Sequence, residues 1–201
     1  MKKARLKKEL KEWGIFAIVL LTLYFTGLHT DVAAFAQRIV LATGIANPKI
    51  ERTIEGPQDI AYSFSLTDLN GEQVEFSSFE NKVVFVNMWA TWCAPCIAEM
   101  PSIASLQESL AENDNIAFVM INVEQEHNKA RKFMAKKGYE FPVYFSNQSG
   151  LPKAFHSNGI PTTLVIDTTG KIAYKKVGMA NYDAESFQTF LTDLANPQMV
   201  N

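Results

Sequence analysis

Lys82 to Trp89 reads KVVFVNMW, a continuous β-branched and aromatic run, and five residues of the form Trp-Cys-Ala-Pro-Cys follow at 92–96. Such a run signals a strand buried on both faces, which requires covering layers on either side of a sheet. Elements around it meet that requirement. Ile60, Tyr62, Phe64 and Leu66 alternate with smaller or polar residues, Asp68-Leu69-Asn70-Gly71 is a turn, and Gln73–Phe76 returns as a short strand. A helical stretch is expected from the two cysteines to about Glu112, then a second buried strand at Ile116–Val123. A helix at Glu126–Lys137 is closed by Gly138, and Val143–Phe145 is a short strand. Leu151–His156 reads as a short helix. Thr162–Asp167 and Lys171–Val177 flank Thr168-Thr169-Gly170 as a hairpin. Asp183–Leu194 is an amphipathic helix with Phe187, Phe190, Leu191 and Leu194 inward. This order predicts an α/β fold with a mainly parallel sheet and an antiparallel edge.

The N-terminal quarter has a different character. Residues 1–12 hold six lysines and arginines against two glutamates, whereas the whole chain of 201 residues carries a formal charge of −2. That balance excludes a broadly basic nucleic-acid-binding surface. Trp13 to Leu28 is uncharged. As a helix it would span about 24 Å, slightly short of a bilayer core of about 30 Å. Trp13 and Tyr24 suit membrane interfaces, and Lys11 can snorkel. The expected organisation is a cytoplasmic basic tail at 1–12, a transmembrane anchor at 13–30, a juxtamembrane helix and linker at 31–58, and a globular domain at 59–201. Positive-inside logic puts that domain across the membrane. A cleaved signal peptide is the competing reading, with Ala34-Phe35-Ala36 as its site. Both readings export the domain. Val32, Phe35, Ile39, Val40 and Leu41 fit either an amphipathic helix beside the membrane or a continuation of the anchor.

The chemistry sits in the two cysteines, Cys93 and Cys96. A bridge across so short a loop would be a poor structural staple. Zinc wants four ligands, and His29, His127 and His156 are scattered. The redox reading has a physical basis. A cysteine opening a helix meets unpaired backbone N–H groups and the positive end of the helix dipole, which favour a thiolate. Cys93 occupies that place and attacks; Cys96, one turn inside, resolves the mixed disulfide. Ala94 and Pro95 lie between the sulfurs, and Pro95 suits a first turn. Pro101 should kink the helix. Trp92 is expected to flank the dithiol and Trp89 to be core.

On VVFVNMWATWCAPC at 83–96, Glu99-Met100-Pro101 and Gly159-Ile160-Pro161-Thr162, the chain from about Asp59 to Leu194 resembles the thioredoxin superfamily, and within it the membrane-anchored TlpA/ResA-like thiol–disulfide reductases. The resemblance implies a thioredoxin-like fold, a central mixed sheet flanked by helices, with an N-terminal β-hairpin extension. It implies a cis Pro161 facing the dithiol and Ile160 offering main-chain groups to an extended substrate. It also implies a functional acid at Glu99, on the same helix face as Cys96. Thioredoxin carries a buried Asp six residues before its first cysteine; Asn87 stands there in this chain and cannot titrate. Trp92, Ala94, Pro95, Ile160 and Pro161 are thus the expected substrate contacts, and Cys93, Cys96 and Glu99 the catalytic set. No cofactor or metal is implied. The implied partners are disulfide-bearing exported proteins, apo-cytochrome c among the plausible ones, and a membrane thiol-transfer protein of the DsbD/CcdA type. The expected location is the cytoplasmic membrane, single-pass, with the domain facing the periplasm or cell exterior. A disulfide-forming oxidase and a non-enzymatic tethered chaperone or scaffold are the alternative functions.

Overall fold

The computed structural model describes residues 2–26, 28–42, 48, 62–146 and 150–196. Two helices come first, α1 (Lys2–Thr26) and α2 (Leu28–Ala42). Strands β1 (Ser65–Asp68) and β2 (Gln73–Glu75) form an antiparallel hairpin. They lead into β3 (Val83–Trp89), α3 (Ala94–Ser109), β4 (Ile116–Asn122), α4 (His127–Lys137) and β5 (Val143–Phe145). The chain closes with β6 (Thr162–Ile166), β7 (Ile172–Val177) and α5 (Glu185–Ala195). One seven-stranded sheet runs β2-β1-β5-β4-β3-β6-β7.

The sheet is mixed rather than mainly parallel. Only β3–β4 and β4–β5 are parallel pairs, whereas β1–β2, β1–β5, β3–β6 and β6–β7 are antiparallel. Parallel neighbours need a crossover helix, and α3 and α4 supply the two that exist. Between β5 and β6 the described residues contain only a 3-10 turn, Lys153–Phe155, so β6 returns beside β3 in the opposite direction. Among the described residues the first strand starts at Ser65, with Tyr62 to Phe64 outside it; residues 60 and 61, like most of the expected linker, lie outside the described residues.

Every residue of β3 is buried. Alternation sends Val83, Phe85 and Trp89 to a face covered by α3, α4 and α5, through Met100, Ile103, Ala130, Phe187 and Leu191 among others. Val84, Val86 and Met88 meet the opposite layer of Leu66, Phe76, Leu151 and Phe155. Phe76 is fully buried there, stacked at 4.4 Å on Phe64 and edge-on to Phe79 and Phe155. Truncating such a side chain costs about 3–5 kcal/mol. Gly138 caps α4 at φ 69°, and its N–H donates to the Met134 carbonyl at 2.9 Å. Gly170 turns the β6–β7 hairpin at φ 84°, and a Cβ there would lie 3.1 Å from the Tyr62 ring; a side chain is disfavoured on both grounds.

Helix α1 is long enough by residue count, but its uncharged stretch is not. Among the described residues no single helix is both long and apolar enough to cross a membrane. Lys11–Thr26 and Thr30–Leu41 reach that composition only together, across a bend of 91°. Helix α2 is therefore not a straight continuation of α1. The Ala34-Phe35-Ala36 segment lies within α2, with Ala34 buried. Trp13, Ile15, Phe16, Ile18, Leu21 and Phe25 of α1 are all exposed.

Candidate active site

Helix α3 begins immediately after the central strand, and Cys93 is its N-cap, with extended backbone at φ −88° and ψ 96°. Its sulfur accepts a hydrogen bond from the Cys96 N–H at 3.3 Å. A sulfur in this position takes up one of the donors that a helix start leaves unpaired, which stabilises negative charge on Cys93 once the pair is reduced. Pro95 occupies the first turn, where its missing N–H removes no helical bond. Cys93 and Cys96 are joined as a disulfide. Both are buried, at 4% and 1% exposure, so in this oxidised state accessibility separates them little. The N-cap position distinguishes them instead.

Trp92 is 62% exposed, whereas Trp89 is fully buried in the core. Trp92 lines a groove of about 640 Å³ together with Met88, Val123, Leu151, Phe155 and Ile160. Residues His156 to Gly159 complete its lining. The Ile160–Pro161 peptide is cis, and the Pro161 carbonyl accepts from the Gly178 N–H at 2.8 Å. Trp92 and Ile160 thus face one apolar groove, and Pro161, next in the chain after Ile160, is buried. Ala94 and Pro95 are half-buried beside the disulfide.

Glu99 is fully buried, one helical turn beyond Cys96. Asn87 Nδ2 donates to its Oε1 at 2.7 Å, and the Ala180 N–H donates to its Oε2 at 3.1 Å. Burial pushes the carboxyl up to about 8, against the opposing pull of these two donors and of the Lys176 charge. Asn87 Nδ2 also donates to Thr163 Oγ1 at 2.9 Å. Tyr182 packs near the same carboxylate, and burial with that neighbouring charge raises its phenol well above the ordinary value. An acid that keeps its proton at neutral pH, one turn from Cys96, can return a proton to that sulfur, and in its ionised form it can take one up.

Several contributors escaped the sequence. The Ala180 N–H carries no side-chain signature, and the segment Leu151–Gly159 contains nothing that marks it as a groove wall. Glu124 is another. Its Oε2 accepts from the Thr91 N–H at 2.7 Å and its Oε1 from Thr91 Oγ1 at 2.8 Å. Asn122 Nδ2 adds a third bond at 3.1 Å. This carboxylate ties the end of β4 to the loop that presents Trp92 and Cys93. An acid two residues past a buried strand was the available signal.

A buried Cys-x-x-Cys disulfide capping a helix that leaves the central strand, with a cis proline and an apolar groove nearby, defines a redox-active site of the thioredoxin kind. A model of the Redoxin family matches residues 57–191. The thiol–disulfide oxidoreductase ResA of Geobacillus kaustophilus is 30% identical over 149 residues, 68% of this chain and 85% of that one. ResA of Bacillus subtilis is 34% identical over 112 residues, 56% of this chain and 62% of that one. A crystal structure of a thioredoxin-family thiol:disulfide interchange protein from Chlorobium tepidum matches with a TM-score of 0.59 at 29% identity, covering 70% of this chain and 98% of that chain. The chain belongs to the redoxin family, as a TlpA/ResA-like member of the thioredoxin superfamily, and is a thiol–disulfide oxidoreductase.

Proposed function

We propose that the protein is a membrane-tethered dithiol reductase of disulfides in exported proteins. The observation that carries the reading is Cys93 at the N-cap of α3, its sulfur accepting from the Cys96 N–H, with the buried carboxyl of Glu99 one turn further on. In the reduced enzyme the Cys93 thiolate attacks one sulfur of the substrate disulfide. That S–S bond breaks, a mixed disulfide forms, and the departing substrate sulfur takes a proton from solvent. Glu99 in its ionised form, the minor one at neutral pH, then takes the proton of Cys96, and the Cys96 thiolate attacks Cys93. The enzyme disulfide closes and the second substrate sulfur leaves. The oxidised form is the one in which burial keeps the proton on Glu99, ready to return to Cys96 on re-reduction.

An extended polypeptide in the groove between Trp92 and Ile160 would present its disulfide to Cys93 and use the main chain at Ile160 as an added strand would. Apo-cytochrome c is one candidate substrate. Exposed Trp13, Phe16, Ile18, Leu21 and Phe25 on α1, preceded by a basic tail, support an uncleaved anchor. The domain would then face the periplasm or cell exterior. That compartment is oxidising, so a membrane thiol-transfer protein is the fitting electron donor.

The test uses the full-length chain in detergent with dithiothreitol as donor. Insulin reduction should be faster than with a Cys93→Ser variant; equal rates remove the proposal. A reduction potential near that of strong oxidants, about −120 mV, rather than about −270 mV as in thioredoxin, would instead assign disulfide formation.

A further inference from the structure

Helix α2 has two apolar faces, and among the described residues only one of them is packed within the fold. On the inner face Ala34 and Leu41 are buried against Ile97 and Ala98 of α3, with Phe133 and Met179 at the edge. Pro101 explains why this seat is specific. Proline has no N–H, so the carbonyl four residues earlier loses its helical partner; here that residue is Ile97. The Arg38 guanidinium fills the gap, donating to the Ile97 carbonyl at 3.3 Å. At the other end of the contact Asp31 pairs with Lys137 at 2.9 Å and Lys136 at 3.7 Å. Asp31 lies in the first turn of α2 and the lysines in the last turn of α4, so each charge also complements its helix dipole.

The outer face is different. Val32, Phe35 and Ile39 are 55%, 65% and 59% exposed, and with Ala36 they follow the i, i+3, i+4, i+7 spacing of a single stripe. No charged residue interrupts it. The stripe follows directly on the exposed apolar surface of α1, and the two helices meet at 91°. If α1 runs along the bilayer normal, that bend lays α2 along the membrane plane. A helix so placed buries its apolar face about 5–10 Å into the headgroup–acyl boundary.

We propose that α2 is a two-faced spacer, with Val32, Phe35 and Ile39 in the lipid surface and Ala34, Arg38 and Leu41 holding the dithiol domain against its back. This rests on the anchor reading of α1. Its consequence is functional. Ile97 directly follows Cys96, so the α2 seat lies beside the redox pair. The dithiol end of the domain is thereby kept at the membrane surface, within reach of a donor whose thiols lie in or at the bilayer. The domain does not swing on a free tether.

The test places an environment-sensitive fluorophore at single cysteines in a full-length Cys93→Ser, Cys96→Ser background. The sites are Ile18→Cys, Phe35→Cys, Ile39→Cys and, as an aqueous control, Thr189→Cys on α5. The chain is reconstituted in phosphatidylethanolamine–phosphatidylglycerol vesicles carrying nitroxides at shallow or deep acyl positions. The expected result is blue-shifted emission at 35 and 39, lost to shallow nitroxides. The label at 18 is quenched by deep ones, and the label at 189 by neither. Quenching at 18 without quenching at 35 and 39 overturns the spacer and leaves the anchor standing. Blue-shifted but unquenched labels at 35 and 39 also overturn it, since protein, such as a second copy of this chain, would then cover the stripe. An unquenched label at 18 removes the anchor itself and the spacer with it.

Discussion

Asn87 Nδ2 donates to Glu99 Oε1 across 2.7 Å, with both residues sealed from solvent. An amide at the position of thioredoxin's buried acid holds an acid supplied instead from the helix of the cysteines. The amide cannot release a proton, so Asn87 orients the carboxyl and leaves the proton to Glu99. The Ala180 N–H fixes the second oxygen.

Removing the amide should move that proton. Burial raises the Glu99 carboxyl, and the Asn87 donor opposes it by favouring the ionised form. Asn87→Ala should therefore push the carboxyl above about 8, at a stability cost of about 1–3 kcal/mol. The alkaline inflection in the rate of insulin reduction should shift to higher pH. An unchanged or lowered inflection contradicts the assignment.

Glu99 also makes stability depend on pH. The folded carboxyl keeps its proton to about pH 8, whereas the unfolded one releases it near 4.5. Between those values the folded state holds the extra proton, so stability falls as pH rises through the window. The full span amounts to about 5 kcal/mol at most. Urea unfolding of the oxidised protein from pH 5 to 8 should show this decline, and Glu99→Gln should flatten it. A wild-type profile already flat over that range would count against a buried, proton-holding Glu99.

Glu124→Ala strips Thr91 and Asn122 of their shared acceptor. Leaving the donors of half-buried Thr91 and buried Asn122 unpaired costs about 1–3 kcal/mol. The looser loop should raise KM for a protein disulfide more than for a small one such as glutathione disulfide, because only the former needs Trp92 held against the groove. Equal changes for both substrates would show that the tie serves stability alone.

Trp92→Ala should leave unfolding within about 0.5 kcal/mol of wild type, since the indole is mostly exposed. Losing its contact with substrate is worth on the order of 1 kcal/mol, roughly fivefold in KM for a protein disulfide. A matching loss in kcat with KM unchanged would place Trp92 in the chemical step rather than in the groove.

The strand and helix order was readable because its signals are local. Lys82–Trp89 has no alternation, Gly138 follows a helical stretch, and Gly170 sits between two β-rich runs. The direction of pairing was less legible, because it depends on whether a connection forms a crossover helix, and among the described residues the segment from β5 to β6 holds only the 3-10 turn Lys153–Phe155. Cys93, Cys96 and Glu99 share one helix, so spacing alone related them. Asn87 and Ala180 reach the same carboxyl from β3 and the loop after β7, and Thr163 on β6 accepts from the same Asn87 amide; only the folded chain assembles this set. Pro101 lies inside α3, which is continuous from Ala94 to Ser109. Its visible effect is the freed Ile97 carbonyl, taken by a side chain 59 residues away.

The central claim is that Cys93 attacks and Cys96 resolves. Full-length Cys96→Ala expressed with its native partners should accumulate mixed disulfides through Cys93, identifiable by mass spectrometry, while Cys93→Ala should trap none. Trapping through Cys96 in the Cys93→Ala variant, or no trapped species from Cys96→Ala while the wild type reduces insulin, would contradict the account.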